Sequence, residues 1–563
     1  MSAACAAAAA TPAAPPAAPA APAAPAALSP AMATAAAAAA DADDFNDGFD
    51  VTAPPVLHGV PFAGRARFSV LSHLRAAHSS GGGLFGFMTM RESNKLRVQC
   101  AEARAEVAAF EWMDACWERG VDDSRVMDCA AWRDAFPAAR AVNVSGRADL
   151  RDADFVHIRG EPGVRLHTVR MAHCRGVTDA AFAHLRGVHT LDMTFCNHEL
   201  ITDAAFAHMR GIHTLNMYGC CQETITDAAF ASLRGIRELN MGGCSQPTIT
   251  DVAYAYMHGI HTLDIRGCTI TDTAFVHLRG VHDLNISQCD QVTDAAFVHL
   301  RGIHTLQMSH CDQQTITDAA FAHLRGIRAL NMSSCNNLTD AAFAHLRGIH
   351  TLDMSWCRQP TITDAAFAHL TGINTLKMRD CSQPTITDAA FAHLRGIHTL
   401  DISRCTQETI TDAAFTHLRG VHTLNMFDCF QRTITDAAFA HLRGIHTLHM
   451  GGCQQLTDAA FAHLRGVHTL YMGHCGQVMI TDAAFAHLRG IHSLSMYSCR
   501  QRTITDAAFM HLTGIHTLDM TFCNQETITP AAIAHLRGIQ RLHAPGCAPA
   551  VTDAASELFA RGA

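Results

Sequence analysis

One stretch, Ile386–Thr409 (ITDAAFAHLRGIHTLDISRCTQET), returns with few changes along most of the chain. A Thr-Asp pair opens nearly every copy, at Asp179, Asp203, Asp227, Asp251, Asp272, Asp294, Asp318, Asp340, Asp364, Asp388, Asp412, Asp436, Asp458, Asp482 and Asp506. Pro530 takes the place in the next copy and Asp553 in the last. A fixed period in the twenties restricts a chain to a solenoid, because a unit this short cannot bury its own apolar face.

Within the unit, Thr387 or Asp388 caps a short helix, and the carboxylate suits the positive helix end. Ala390, Phe391 and Leu394 recur at helical spacing on one face, which leaves Ala389, Ala392 and His393 outward. Gly396 supplies the left-handed residue that stops the helix. Leu400 and Ile402 then alternate as a short strand with one buried face, so Thr399, Asp401 and Ser403 point the other way. Five buried apolar side chains contribute roughly 1.5–3 kcal/mol each. Ordering the backbone costs roughly 1–2 kcal/mol per residue, so a single turn does not stand alone and stacked turns do.

The pattern I/V-x-x-L-x-M/I-x-x-C followed by I/L/V-T-D-A-A-F-x-x-L resembles the cysteine-containing class of leucine-rich repeats, from Val142 to Arg561. The resemblance implies an α/β fold. It would be a right-handed leucine-rich-repeat solenoid, a horseshoe with a parallel concave sheet and convex helices, preceded by a small helical domain. Three regions follow: a low-complexity Ala/Pro-rich tail with an acidic end over 1–55, a small domain over 56–140, and a solenoid of about 17–18 units over 141–563. Residues 142–160 read as a degenerate first turn with Gly146 in the cysteine position, and Ser556 and Glu557 as the polar marks of a terminal cap.

Residues 1–40 are almost all Ala and Pro, a composition unable to build a core. Recurrent Pro and weakly apolar Ala argue against a membrane span. The first basic residue is Arg65, so neither a signal peptide nor an organellar transit peptide is expected. The net charge is −9, to which Asp41, Asp43, Asp44, Asp47 and Asp50 contribute, and no basic patch is evident. Nucleic acid and membrane are therefore not expected as partners. Of 22 cysteines, all but Cys5, Cys100, Cys116, Cys129 and Cys221 fall at the repeat position. Parallel side chains in such a column do not meet the geometry of a disulfide, so buried free thiols and a reducing compartment, cytoplasmic or nuclear, are expected.

Residues 81–86 (GGGLFG) match a dinucleotide-binding spacing formally, but no strand precedes them and no βαβ unit surrounds them, so they read as a loop. The following stretch, with Leu84, Phe85, Phe87, Leu96 and Cys100 and then Phe110-Glu111-Trp112, resembles the second half of an F-box. Its opening Leu-Pro and acidic residue have no counterpart here. The resemblance implies adaptor docking through those five residues, to a Skp-type adaptor and a cullin. A plain helical cap over the first repeat accounts for the same segment.

No hydrolase elbow, metalloprotease motif or P-loop occurs, and no catalytic residue, cofactor or metal is expected. Two periodic His series, one on the helix (His184, His208, His393) and one before the strand (His189, His261, His282, His398), read as solvated ladders, a metal array being the alternative. Departures from the repeat carry more information. Trp356, Lys377, Arg379, Arg404 and Phe427 fall in four consecutive turns, with Tyr471 and Tyr497 beyond them, all on the concave side. Aromatic and Arg residues anchor protein interfaces. The expected function is therefore protein–protein recognition without enzymatic activity. The sharper form is a substrate receptor of a cullin–RING ubiquitin ligase of the F-box type; the alternative is a stand-alone repeat scaffold.

Overall fold

The computed structural model describes residues 128–159, 166–475 and 479–560. Eighteen three-residue strands, from Ala141–Asn143 to Arg541–His543, form one parallel sheet in which each strand pairs with the next. The register is one to one: Leu352 stands opposite Leu376, and Leu376 opposite Leu400. This is the leucine-rich-repeat solenoid that the period and the apolar pattern imply.

On the other side, each turn carries a short helix such as Asp388–Phe391, continued by the 3-10 turn Ala392–Leu394. In two turns, Asp251–Tyr256 and Asp272–His277, the whole element is 3-10. Helix and strand trap one apolar layer between them. Ala390, Phe391, Leu394, Ile397, Leu400, Ile402 and Cys405 are all at most 2% exposed. Repeated turn by turn, that layer becomes a continuous core from Cys129 to Ala555. Gly396 has φ +82°, the left-handed conformation that ends the helix.

The capping roles of Thr387 and Asp388 are divided. Thr387 caps its own helix, its hydroxyl oxygen accepting from the Ala389 N–H at 3.2 Å. Asp388 reaches into the next turn. Its Oδ1 accepts from the Thr411 N–H and its Oδ2 from the Thr411 hydroxyl, both at 2.7 Å. The same paired bond runs from Asp152–Thr178 to Asp506–Thr529. Each aspartate thus orients the threonine that caps the following helix. Pro530 ends the ladder: it suits the first helical position behind the Thr529 cap but has no carboxylate to pass on.

Three expectations change. Ser403 is 2% exposed rather than outward; it follows the strand, where the chain already bends towards the next turn. Gly146 does not take the cysteine position. It occupies the left-handed site before it, at φ +74°, and Arg147 stands in place of the thiol. Arg147 is 7% exposed, with Nη1 donating to Cys129 Sγ at 3.2 Å and Nη2 paired with Asp149 at 2.7 Å. At the far end Thr552 and Asp553 do not open a helix but lie inside one, Pro549–Ala560, longer than those of the repeats. The Thr552 hydroxyl donates to the Ala544 carbonyl, while Val551 and Ala555 close the core.

Of the expected domain over 56–140, residues 128–140 are described. They form the helix Cys129–Ala135, with Trp132 and Phe136 buried on the first turn. Arg133, 8% exposed, donates to the carbonyls of Pro137, Ala139 and Ile158, and burial lowers its pKa to about 10. Leu84, Phe85, Phe87, Leu96 and Cys100 lie outside the described residues.

Replacing Asp388 by Ala strands the Thr411 N–H and hydroxyl, and is expected to cost about 1–3 kcal/mol. Asp388→Asn, which keeps one acceptor oxygen, should cost less. Urea unfolding of the full chain measures both, and an Ala variant with an unshifted midpoint would refute the role of the bond.

Candidate functional site

The two most repeated reactive residue types serve the stack. The Cys405 thiol donates to the Met378 carbonyl of the previous turn at 3.0 Å, and Cys523 does the same to Met496. The described cysteines form no disulfide with one another, and all but Cys221 are buried. Burial pushes the thiols up, to about 11 at Cys174 and Cys311 and about 12 at Cys196 and Cys357. Neutral thiols of that kind are poor nucleophiles.

The histidines before the strands stack ring on ring. His398, His422, His446 and His468 have successive centroids 4.5 Å apart with planes inclined by 12°. Each Nδ1 meets the hydroxyl of the next residue, as His422 does Thr423 at 3.2 Å. Partial burial, with repulsion from neighbouring rings, lowers the pKa of His189, His422, His468 and His492. The helical series pairs differently: Arg186 Nε donates to His208 Nδ1 at 3.1 Å, and Arg347 Nε to His369 Nδ1 at 3.3 Å.

The side chains that vary most from turn to turn stand at the strand exits. The residue before each cysteine is left-handed throughout the stack. Gly146, Gly219, Gly243, Gly267, Gly452 and Gly546 occupy the site in six turns, but Phe195 (φ +53°), Trp356 (+62°), Arg404 (+55°) and Phe522 (+59°) are among the residues that occupy it in the others. A non-glycine residue there costs roughly 1–2 kcal/mol. Twelve turns carry a non-glycine residue there, so that cost is general to the stack, and what sets Phe195, Trp356, Arg404 and Phe522 apart is their size.

The seven expected residues fall into three columns. Lys377 and Tyr471 end their strands and face outward from the sheet. Arg379, Phe427 and Tyr497 sit two residues further on, and Trp356 and Arg404 in the left-handed column. The Arg379 guanidinium lies 5.8 Å from the Trp356 ring centre, and Arg358 flanks the same ring at 5.0 Å. Lys377 Nζ approaches Asp353 at 3.9 Å, Arg404 Nε approaches Asp428 at 3.4 Å, and Arg358 pairs with Asp380. Burial raises the Asp428 carboxyl pKa, against the pull of Arg404. Phe427 reaches Tyr497 through His474, with centroid distances of 6.2 and 5.1 Å, and Tyr497 meets Phe522 at 5.7 Å. Tyr471 stacks on His449 at 3.9 Å, and burial lowers the His449 pKa to about 4.

Arg358, Asp380, Asp428, His449, His474 and Phe522 escaped the sequence reading. So did a second cluster near the other end, where His173 stacks on Phe195 (5.0 Å), Phe195 meets Tyr218 edge-on (5.3 Å) and Arg266 covers Tyr218 (5.2 Å). An open depression there is lined by His173, Arg175, Phe195 and Asn197. Column position was the available signal: Phe195 and Phe522 align with Trp356, and Tyr218 aligns with Phe427 and Tyr497.

No family model matches the chain, and no curated protein matches its sequence. Among solved structures, a TLR13–ssRNA13 complex is similar with a TM-score of 0.55 at 16% identity, over 73% of this chain and 67% of that one. Two structures of the Toll–Spatzle complex, a hub of Drosophila development and innate immunity, give TM-scores of 0.47 and 0.43 at 14% and 15% identity. Both alignments cover 71% of this chain but under two thirds of theirs, 60% and 54%. At such identities the likeness to the first is one of fold, the leucine-rich-repeat solenoid. No helix among the described residues is long and apolar enough to cross a membrane.

Two outcomes follow from the periodic columns. Alkylation of the native chain at pH 8, mapped by mass spectrometry, should label Cys221 and spare Cys405 until denaturant is added; early labelling of Cys405 would contradict the thiol column. Acid should weaken the stack. The unfolded chain takes up protons near pH ~6.5, while the folded histidines, with lowered pKa, resist until lower pH. The unfolded state then holds more protons, so stability present above that pH is lost as pH falls. Calorimetry should give a lower Tm at pH 5.5 than at pH 7.5, and equal values would dismiss the effect.

Proposed function

We propose that this chain is a protein-recognition scaffold whose partner docks along the strand exits from Trp356 to Phe522. The observation that carries this is the occupation of left-handed sites by Trp356, Arg404 and Phe522 where glycine serves other turns. Around them lie the anchors usual in protein interfaces, aromatic rings and Arg. The pattern of charge favours protein over nucleic acid. Arg358, Lys377 and Arg404 each face a carboxylate, Asp380, Asp353 and Asp428, whereas binding phosphates calls for basic groups free to neutralise them.

The finer reading makes the scaffold a substrate receptor of a cullin–RING ligase in the cytoplasm or nucleus. Its support is the F-box resemblance of the segment containing Leu84, Phe85, Phe87, Leu96 and Cys100, together with the free thiol column. Co-purification of a Skp-type adaptor with the full chain, and its loss on deleting residues 65–115, tests that reading separately. Adaptor absent from both preparations would leave the stand-alone scaffold.

Other turns suggest substitutions that preserve the fold. Gly replaces Trp356 and Arg404 at the equivalent sites Gly243 and Gly452, and Ser replaces Arg379 at Ser355. The triple variant Trp356→Gly, Arg379→Ser, Arg404→Gly is expected to fold and to melt no lower than the wild type, since glycine relieves the left-handed strain at two of the sites. It should lose at least about thirtyfold in partner recovery, as removing interface anchors does. Quantitative mass spectrometry of proteins bound to each chain reads this, and an unchanged set would refute the site.

A further inference from the structure

The stacked histidine column has one irregular rung. The first strand residue is Thr in most turns, as at Thr190, Thr262, Thr305 and Thr447, and its hydroxyl meets the Nδ1 of the histidine before it. Asp283 takes that place in one turn, beside two stacked rings, His261 and His282, with centroids 4.6 Å apart. Its Oδ2 lies 3.1 Å from His282 Nδ1 and 3.9 Å from His261 Nδ1. Among the described residues this is the one group of three ligand-type side chains whose donor atoms all fall within 4.8 Å of one another. Elsewhere in the column the third donor is missing: Glu238 follows Arg237 instead of a histidine, and takes the Thr214 hydroxyl at 3.1 Å.

From this convergence we infer that His261, His282 and Asp283 form a binding site for a divalent transition cation, with zinc as the best match. Zinc takes imidazole nitrogen and carboxylate oxygen at about 2.0–2.2 Å in a tetrahedron, which sets neighbouring donors ~3.3 Å apart. The His282–Asp283 pair already has that spacing. His261, with 45% of its side chain exposed, would leave the Thr262 hydroxyl at 3.2 Å and turn towards Asp283 on binding. The buried His282 Nδ1 has the Asp283 carboxylate as its polar neighbour at 3.1 Å, and a cation seated between the two takes the place of the proton they would otherwise share. The fourth position faces solvent and takes water. On the far side His304 stacks on His282 at 4.4 Å and steadies its ring, the supporting role outer groups play in metal sites.

The repeat supplies its own controls. Asp283→Thr restores the residue of most turns, and His282→Asn installs the residue that Asn374 provides in the same column, so both variants should fold and melt as the wild type does without metal. Zinc titration of the full chain by calorimetry is expected to show one site that each substitution weakens at least about tenfold. Equal zinc affinity in the wild type and in either folded variant would overturn the assignment.

Discussion

The bond from each aspartate to the capping threonine of the next turn governs how this chain stacks. Through it, Asp388 satisfies the backbone and hydroxyl of Thr411, and Thr411 in turn caps the helix that carries Asp412. Helices of four residues have no stability of their own in water. They persist here because each is capped from within and its cap is held by its neighbour, over a core that leaves the apolar side chains almost wholly covered. The thiol-to-carbonyl bonds and the Leu-to-Leu register run in the same direction. Stability therefore propagates between neighbours, as in other quasi-one-dimensional folds.

Because so much of the unit serves the stack, sequence variation is left to positions the stack does not constrain. The strand exits are such positions. Their backbone is left-handed in every turn, which glycine meets without strain, and their side chains project beyond the sheet. Trp356, Arg404, Phe195 and Phe522 occupy them. The same freedom at the first strand residue allowed Asp283 to replace threonine between two imidazoles. The strand-exit column varies from turn to turn, whereas Asp283 is an exception among threonines and acquires its chemistry from the histidines on either side.

The fold was legible because periodicity is a local property written many times. Leu400 and Ile402 alternate, Phe391 and Leu394 recur at helical spacing, and Gly396 marks the helix end; each repeats often enough that a single exception does not blur the pattern. The candidate surface was legible in part. Trp356 and Arg379 stand out as departures from the repeat and do meet in space, and so do Phe427 and Tyr497, through His474. Phe522 and Phe195 are equally aromatic but are separated from them in sequence. Arg147 was misplaced by one position, since the glycine before it looked like a substitute for cysteine when it was supplying the left-handed turn.

The sequence alone determined the repeating unit, its apolar face and the parallel stacking, because burying that face requires a neighbour of the same shape. Only the tertiary structure decided what the unit's polar residues do. Asp388 caps nothing in its own turn and instead binds the next. Ser403 is covered, and Asp283 joins histidines from two turns. Each outcome depends on a distance between turns, and such distances arise only once the strands are in register.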